Sequence, residues 1–226
     1  MQYSKIVKAT FKSRPNRFIA KVEINNKEEV VHVKNTGRCK ELLIEGCTVF
    51  LEESDNPNRK TKYDLIAVIK PSTGALINID SQAPNKVVKE YLEKNNTKNG
   101  YDYIKPEYNF GDSRIDFYME KEKQKYLMEV KGCTLEKDGI GYFPDAPTER
   151  GVKHLRELSK AVKKGYNCAV AFVIQLEGVS EVRPNVETHL EFGEALEEAK
   201  AAGVNVIFFK CAVTPEKLEI VEEIIQ

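Results

Sequence analysis

Along the first third of the chain, apolar residues recur at alternate positions in short runs broken by turn residues. A period of two describes half-buried β-strands. Runs at 6–11, 18–24 and 30–33 are parted by Lys12-Ser-Arg-Pro-Asn16 and Asn25-Asn26-Lys27, and runs at 47–51 and 65–69 flank a polar loop, Asp55-Asn-Pro-Asn-Arg-Lys-Thr61. Five short strands within about 70 residues, with no long helical pattern, predict a small Greek-key barrel of the OB type or a small sandwich.

From Ser81 onward the period changes. Val87, Val88, Tyr91 and Leu92 fall at helical spacing within 84–95, and 101–110, 114–119 and 125–130 read as three strands. Val152, Leu155, Leu158 and Val162 mark a helix closed by Gly165, because glycine takes the left-handed cap without strain. An apolar run over 168–175 suits a buried strand. A helix over 189–202, closed by Gly203, leads into a further buried strand at 204–209. The predicted architecture is mixed α/β: a barrel over 1–80, then a domain over 81–226 in the order α-β-β-β-α-β-α-β.

Charge divides at the same place, +4 before residue 81 and −4 after it, within 226 residues of net charge zero. This balance excludes a histone-like polycation and an acidic tail, but not a nucleic-acid partner, because an average hides patches. At 41% apolar and 31% charged residues the chain has the material for one or two folded domains. No apolar run approaches the roughly 18 residues of a membrane helix, and the polar N-terminus lacks a signal-peptide core. The expected location is cytoplasmic. Cys39, Cys47, Cys133, Cys168 and Cys211 are widely spaced without a CxxC, which predicts buried thiols rather than a zinc site or disulfides. His32, His154 and His189 form no ligand pair, and each is expected to be a packed or solvent-facing ring.

The chemistry concentrates in Ser113-Arg-Ile-Asp-Phe-Tyr-Met-Glu-Lys-Glu-Lys-Gln-Lys-Tyr-Leu-Met-Glu-Val-Lys131. With Glu122 and Lys123 as the tip of a hairpin, Asp116 opposes Glu129, and Lys131 shares their face, while Ile115, Phe117, Met128 and Val130 form the other. Two carboxylates with Cβ atoms about 5 Å apart repel unless a cation neutralises them. A hard divalent ion, Mg²⁺ or Mn²⁺, takes such a pair as ligands. The Lys131 ammonium beside them would orient an attacking water or offset charge developing on a phosphate. An E-x-K triplet alone is cheap, as Glu198-Ala-Lys200 in a predicted helix shows, and a solvated cross-strand charge network is the other reading. Glu90 either supplies a third carboxylate or is simply solvated. Gln175 is either a site residue or a strand cap. Pro144-Asp145 follows the triplet instead of preceding it, so Asp116 is read as the metal-binding aspartate.

Arg150, Lys153 and Glu157 fall on one side of the following helix, opposite its apolar stripe, and predict a wet, basic face suited to phosphates. In the first domain Arg14, Arg17, Arg38, Arg59, Lys60 and Lys62 lie in or beside loops, with Phe18 and Tyr63 as rings on which bases could stack.

Asn35-Thr36-Gly37-Arg38, Ser113-Arg-Ile-Asp116, Glu129-Val-Lys131 and Phe143-Pro-Asp-Ala146 with Arg150-Gly-Val-Lys-His-Leu155, in this order, resemble the sugar fermentation stimulation protein A (SfsA) family, from near Met1 to the last predicted strand. The resemblance implies an N-terminal OB-like domain and a C-terminal domain like the PD-(D/E)xK nucleases, whose signature carries onto Asp116, Glu129 and Lys131. It also implies DNA binding without sequence specificity and a regulatory role in sugar, notably maltose, metabolism. The expected function is therefore a DNA-binding protein with a Mg²⁺-dependent phosphodiester-cleaving site, or a DNA-binding regulator that does not cut. A homodimer is left open, and a small-molecule enzyme finds no Gly-rich nucleotide loop or nucleophile elbow to support it.

Overall fold

A computed structural model of the chain describes residues 1–35, 37–95 and 100–226. Strands β1 (Ile6–Asn16), β2 (Ile19–Ile24), β3 (Lys27–Val33), β4 (Thr48–Glu53), β5 (Tyr63–Ile69) and β6 (Leu76–Asn78) make the first sheet, in the order β3-β2-β1-β4-β5-β6. Parallel pairing of β3 with β5, His32 against Asp64 and Val33 against Leu65, closes the first five into a barrel of OB type and excludes the sandwich. Asn25 and Asn26 carry φ of +50° and +62°, the left-handed pair that a two-residue hairpin turn needs and asparagine tolerates. Residues 12–16, expected as a turn, stay in β1, which is bent by register irregularities between Phe11 and Asn16.

The second part begins with α1 (Ala83–Lys94) and the antiparallel strands β7 (Tyr103–Phe110), β8 (Ser113–Lys121) and β9 (Gln124–Cys133). A short hairpin of β10 (Leu135–Lys137) and β11 (Ile140–Phe143) follows, then α2 (Glu149–Lys163), β12 (Asn167–Ile174), β13 (Val182–Pro184), α3 (Leu190–Ala201), β14 (Asn205–Thr214) and β15 (Lys217–Ile225). The main sheet runs β15-β14-β12-β9-β8-β7, with β9, β12 and β14 parallel. The predicted order of helices and strands is present, with β10, β11, β13 and β15 added to it. The loop expected over 138–151 contains a hairpin turn at Asp138-Gly139, where φ is +52° and +79°.

Helix α1 covers one face of the sheet, where Val87, Val88 and Leu92 pack with Phe117, Met128, Val130 and Phe209. Helices α2 and α3 cover the other, where Leu155, Leu158 and Phe192 meet Leu127, Phe172 and Phe208. The second cluster continues into the barrel interior through Val22, Leu51 and Val68. Each such side chain contributes about 1.5–3 kcal/mol by leaving water.

Two registers of α2 matter for the site. Thr148 caps its N-terminus by accepting the Gly151 N–H at 3.1 Å, and Lys160 and Lys163 sit in its last turn, where the helix dipole favours cations. All five cysteines are free and buried, and burial pushes the thiols of Cys39, Cys133, Cys168 and Cys211 up to about 12. Among the described residues no helix is long and apolar enough to cross a membrane.

Candidate metal centre and nucleic-acid interface

The β8–β9 hairpin turns at Glu122 and Lys123, whose φ values are +49° and +69°. The ladder pairs Lys121 with Gln124 and continues to Phe117 with Met128, the predicted register, but it ends there, so the expected opposition of Asp116 and Glu129 is not a ladder pair. Beyond that pair, Asp116 Oδ2 accepts the Val130 N–H at 2.8 Å and Oδ1 accepts the Asn85 amide of α1 at 2.8 Å. A side-chain carboxylate thus takes a bond that a ladder carbonyl would otherwise take. Ile115 departs from its expected face: it joins the cluster of Tyr118 and Leu127, not that of Phe117, Met128 and Val130.

Glu129 is 2% exposed in the middle of β9. Its Oε1 accepts from the Lys131 ammonium at 2.5 Å and from His154 Nδ1 on α2. Burial pushes the Glu129 carboxyl up, but the Lys131 charge and the His154 bond outweigh it and hold it below the usual carboxylate range. Asp116 moves the other way. Burial and the neighbouring Glu129 charge raise it, in spite of the Val130 N–H, Lys131 and Asn85. The predicted trio is brought together, and its net charge is under-neutralised.

Glu129 Oε2 is buried and has no hydrogen-bond partner. A buried carboxylate oxygen without a partner is rare, because its lost hydration is not replaced. It is the donor type that Mg²⁺, Mn²⁺ or Ca²⁺ takes, and Asp116 offers a second hard oxygen. The residues present therefore fit a hard divalent cation. Glu149, His189 and Glu191 also bring ligand atoms within 4.8 Å of one another. That group lies at the N-termini of α2 and α3, where helix dipoles disfavour a cation and Arg156 holds Glu191 at 2.9 Å.

Several predicted residues serve elsewhere. Glu90 pairs with the Met1 ammonium at 2.7 Å and does not reach the trio. It sits about 140° around α1 from Asn85, the residue that does. Gln175 is 2% exposed and braces the two domains, donating to Asn78 Oδ1 at 2.9 Å and the Asp80 carbonyl at 3.1 Å. Its Oε1 lies 2.3 Å from where a Gly132 Cβ would stand, so glycine after Lys131 is a requirement of close packing. Asp145 faces Gly37, whose Cβ would meet its Oδ2 at 2.1 Å.

The basic residues divide similarly. Arg14 spends its Nη groups on the carbonyls of Arg17, Asn35, Gly37 and Arg38, at 2.6–3.0 Å, and organises that loop instead of waiting for a phosphate. Thr36 of the loop lies outside the described residues. Arg59 forks onto buried Asp64 at 2.5 and 2.8 Å. Tyr63 is buried, so it offers no face for stacking. Lys60 stays exposed on its loop. Arg17 and Arg38 line a cavity of about 690 Å³ together with Arg14, Lys40, Phe143 and Asp145. The Arg17 guanidinium lies 5.9 Å from the centroid of the exposed Phe18 ring. A cavity of about 190 Å³ continues past Gly37 and Asp145 to Gly132, next to Lys131.

On α2, Arg150 and Lys153 are exposed and line a third cavity of about 650 Å³ with Arg114, Arg156 and Lys160. Lys153 donates to the Asp112 carbonyl at 2.7 Å. Glu157, expected on the wet face, is 5% exposed and packs beside Gly111. His154, which bonds Glu129 from α2, is the residue of the candidate site that sequence reasoning missed. It lies about 40° from Leu158 on the helical wheel, so its inward direction was readable, but not the carboxylate it meets.

The molecule is thus a closed OB barrel followed by an α/β domain whose central hairpin presents two carboxylates and a lysine. Residues 13–79 match the family model described as SfsA N-terminal OB domain, and residues 82–217 match that described as Sugar fermentation stimulation protein RE domain. The chain belongs to the sugar fermentation stimulation protein (SfsA) family. A sugar fermentation stimulation protein homolog of Desulfitobacterium hafniense is 55% identical over 97% of this chain and 95% of its own. One of Clostridium beijerinckii is 54% identical over 97% and 96%. The structure of Pyrococcus furiosus SfsA in complex with Ca²⁺ superposes with a TM-score of 0.86 at 28% identity, over 99% of this chain and 96% of that one.

Proposed function

We propose that this protein binds DNA and hydrolyses phosphodiesters at the β8–β9 hairpin with Mg²⁺ or Mn²⁺. The observation that carries this reading is the unpartnered, buried Oε2 of Glu129 beside Asp116 and Lys131. The Ca²⁺ in the Pyrococcus furiosus relative supports it, since Ca²⁺ seeks the same oxygen donors. Asp116 and Glu129 would hold the ion. When bound, it supplies Lewis acidity toward a phosphoryl oxygen and a lower pKa for water. Lys131 keeps N–H groups beyond the one given to Glu129, and these orient the attacking water or stabilise charge gathering on the phosphate.

Arg150 and Lys153 on one side, and Arg17 and Arg38 on the other, supply phosphate contacts, with Phe18 as a stacking surface. Such contacts position a strand without reading its sequence, so binding is expected to be nonspecific. Arg17→Ala and Arg38→Ala are each expected to reduce the slope of log affinity against log salt by about 1. Arg59→Ala is expected to leave that slope unchanged and to lower stability instead. Filter binding across a salt series checks both, and an equal slope in all four proteins would move the interface elsewhere. Cleavage is tested by incubating DNA of several forms with Mg²⁺ or Mn²⁺, with and without EDTA. Salt-sensitive binding with no cleavage under any condition would leave the non-cutting DNA-binding regulator.

A further inference from the structure

Helix α2 brings a single imidazole between the carboxylate and the basic face. His154 is 3% exposed. Its Nδ1 meets Glu129 Oε1, and its Nε2 stands 3.3 Å from Arg150 Nε. The protonation pattern follows from the partners. A guanidinium only donates, so Nε2 carries no hydrogen and accepts from Arg150. The ring proton therefore sits on Nδ1 and is given to the carboxylate. One neutral tautomer serves both neighbours, and neither bond can reverse.

Two consequences meet at this ring. Glu129 Oε1 is held by Lys131 and His154 together, which turns Oε2 toward the position where it stands buried and unpartnered. Arg150 is held by its Nε, and its two Nη groups make no bond among the described residues, so they are left to the 650 Å³ cavity that Arg150 and His154 both line. We propose that His154 is a positioning residue that, through its two ring nitrogens, aims the metal-holding oxygen of Glu129 and sets the phosphate-facing fork of Arg150. This rests on the functional reading above and adds to it a link between the two ligands of the site. Partners of metal-binding carboxylates commonly act this way, orienting a ligand they do not replace.

The two nitrogens can be separated by substitution. The Asn amide stands where Nδ1 stands, and the Gln amide stands where Nε2 stands. The experiment measures Mn²⁺ affinity by calorimetry, and binding of a short DNA duplex in EDTA across a salt series, for the full chain and for His154→Asn, His154→Gln and Glu129→Gln. His154→Gln is expected to weaken Mn²⁺ binding about 10–100-fold and to keep the salt slope for DNA. His154→Asn is expected to keep Mn²⁺ affinity within about threefold and to reduce the slope by about 1, as loss of one phosphate contact does. A packing role alone would move both readouts together in both variants, and that result overturns the proposal. So does wild-type behaviour of both variants while Glu129→Gln loses Mn²⁺. Unchanged Mn²⁺ affinity in Glu129→Gln would instead overturn the metal reading on which the proposal stands.

Discussion

Lys131→Ala is expected to lower Mg²⁺-dependent cleavage of DNA by about 10²–10³-fold, the loss that follows removal of one preorganised donor to a developing negative charge. DNA binding in EDTA is expected to stay within about twofold, because the cations proposed to contact phosphates are exposed ones elsewhere. The Lys131 side chain is 14% exposed and is held by Glu129 at 2.5 Å, so it is placed before any substrate arrives and needs little reorganisation. The assay compares initial rates of phosphodiester hydrolysis with binding under matched salt. Equal cleavage by both proteins would mean that the activity belongs to another site or another protein.

The second large effect is on stability. Asp64, 3% exposed, is held by the Arg59 fork at 2.5 and 2.8 Å, by Lys34 at 3.0 Å and by His32 at 2.9 Å, where β3 closes the barrel onto β5. Asp64→Asn leaves these donors facing a neutral amide and is expected to cost about 3 kcal/mol at pH 7, as loss of one partner of a buried ion pair does. For a chain of this size that is a fall of roughly 6–12 °C in melting temperature. Burial raises the Asp64 carboxyl, but the bonds from Arg59, Lys34 and His32 outweigh it and hold the group well below the usual range. A carboxyl depressed in the folded state contributes stability that is complete above its unfolded pKa of about 3.9 and is lost as pH falls toward the folded value. The difference between wild type and Asp64→Asn should be constant from pH 7 to about pH 5 and shrink below about pH 4. Urea unfolding at pH 7 and pH 3.5 checks this, and a difference that grows in acid would contradict it.

These two sites show what a single sequence discloses. The hairpin register was readable because a charged two-residue tip separates two strands of alternating polarity, and alternation permits few pairings. The barrel was readable for the same reason. Strands β6, β10 and β13 are three residues each, too short for a period, and the neighbouring β11 is four. Strand β15 exposes Val221 and Ile225, so its pattern does not alternate cleanly. Asp138-Gly139 is the one strong sign of the β10–β11 turn, and it lies within a longer Gly/Pro-rich stretch that masks it.

The partners of cations were not readable at all. Arg14, in β1, and Arg17, in the turn after it, sit three residues apart and line one cavity, yet Arg14 is consumed by four carbonyls while Arg17 has no side-chain hydrogen bond or ion pair among the described residues. Which of two neighbouring arginines is free depends on loops that meet only in the folded chain. Glu90 fails as a ligand for the same kind of reason, since Met1 is brought to it by the pairing of Gln2 with Lys217. The ion-binding reading gains most from an atom, Glu129 Oε2, whose isolation no sequence pattern expresses.

Diffraction from crystals soaked in Mn²⁺, recorded for anomalous scattering, tests the metal-site reading most directly. A peak at bonding distance from both Glu129 Oε2 and Asp116, absent in Glu129→Gln crystals of the same form, is the predicted result. A peak only at Glu149, His189 and Glu191, or none in the chain, would contradict it.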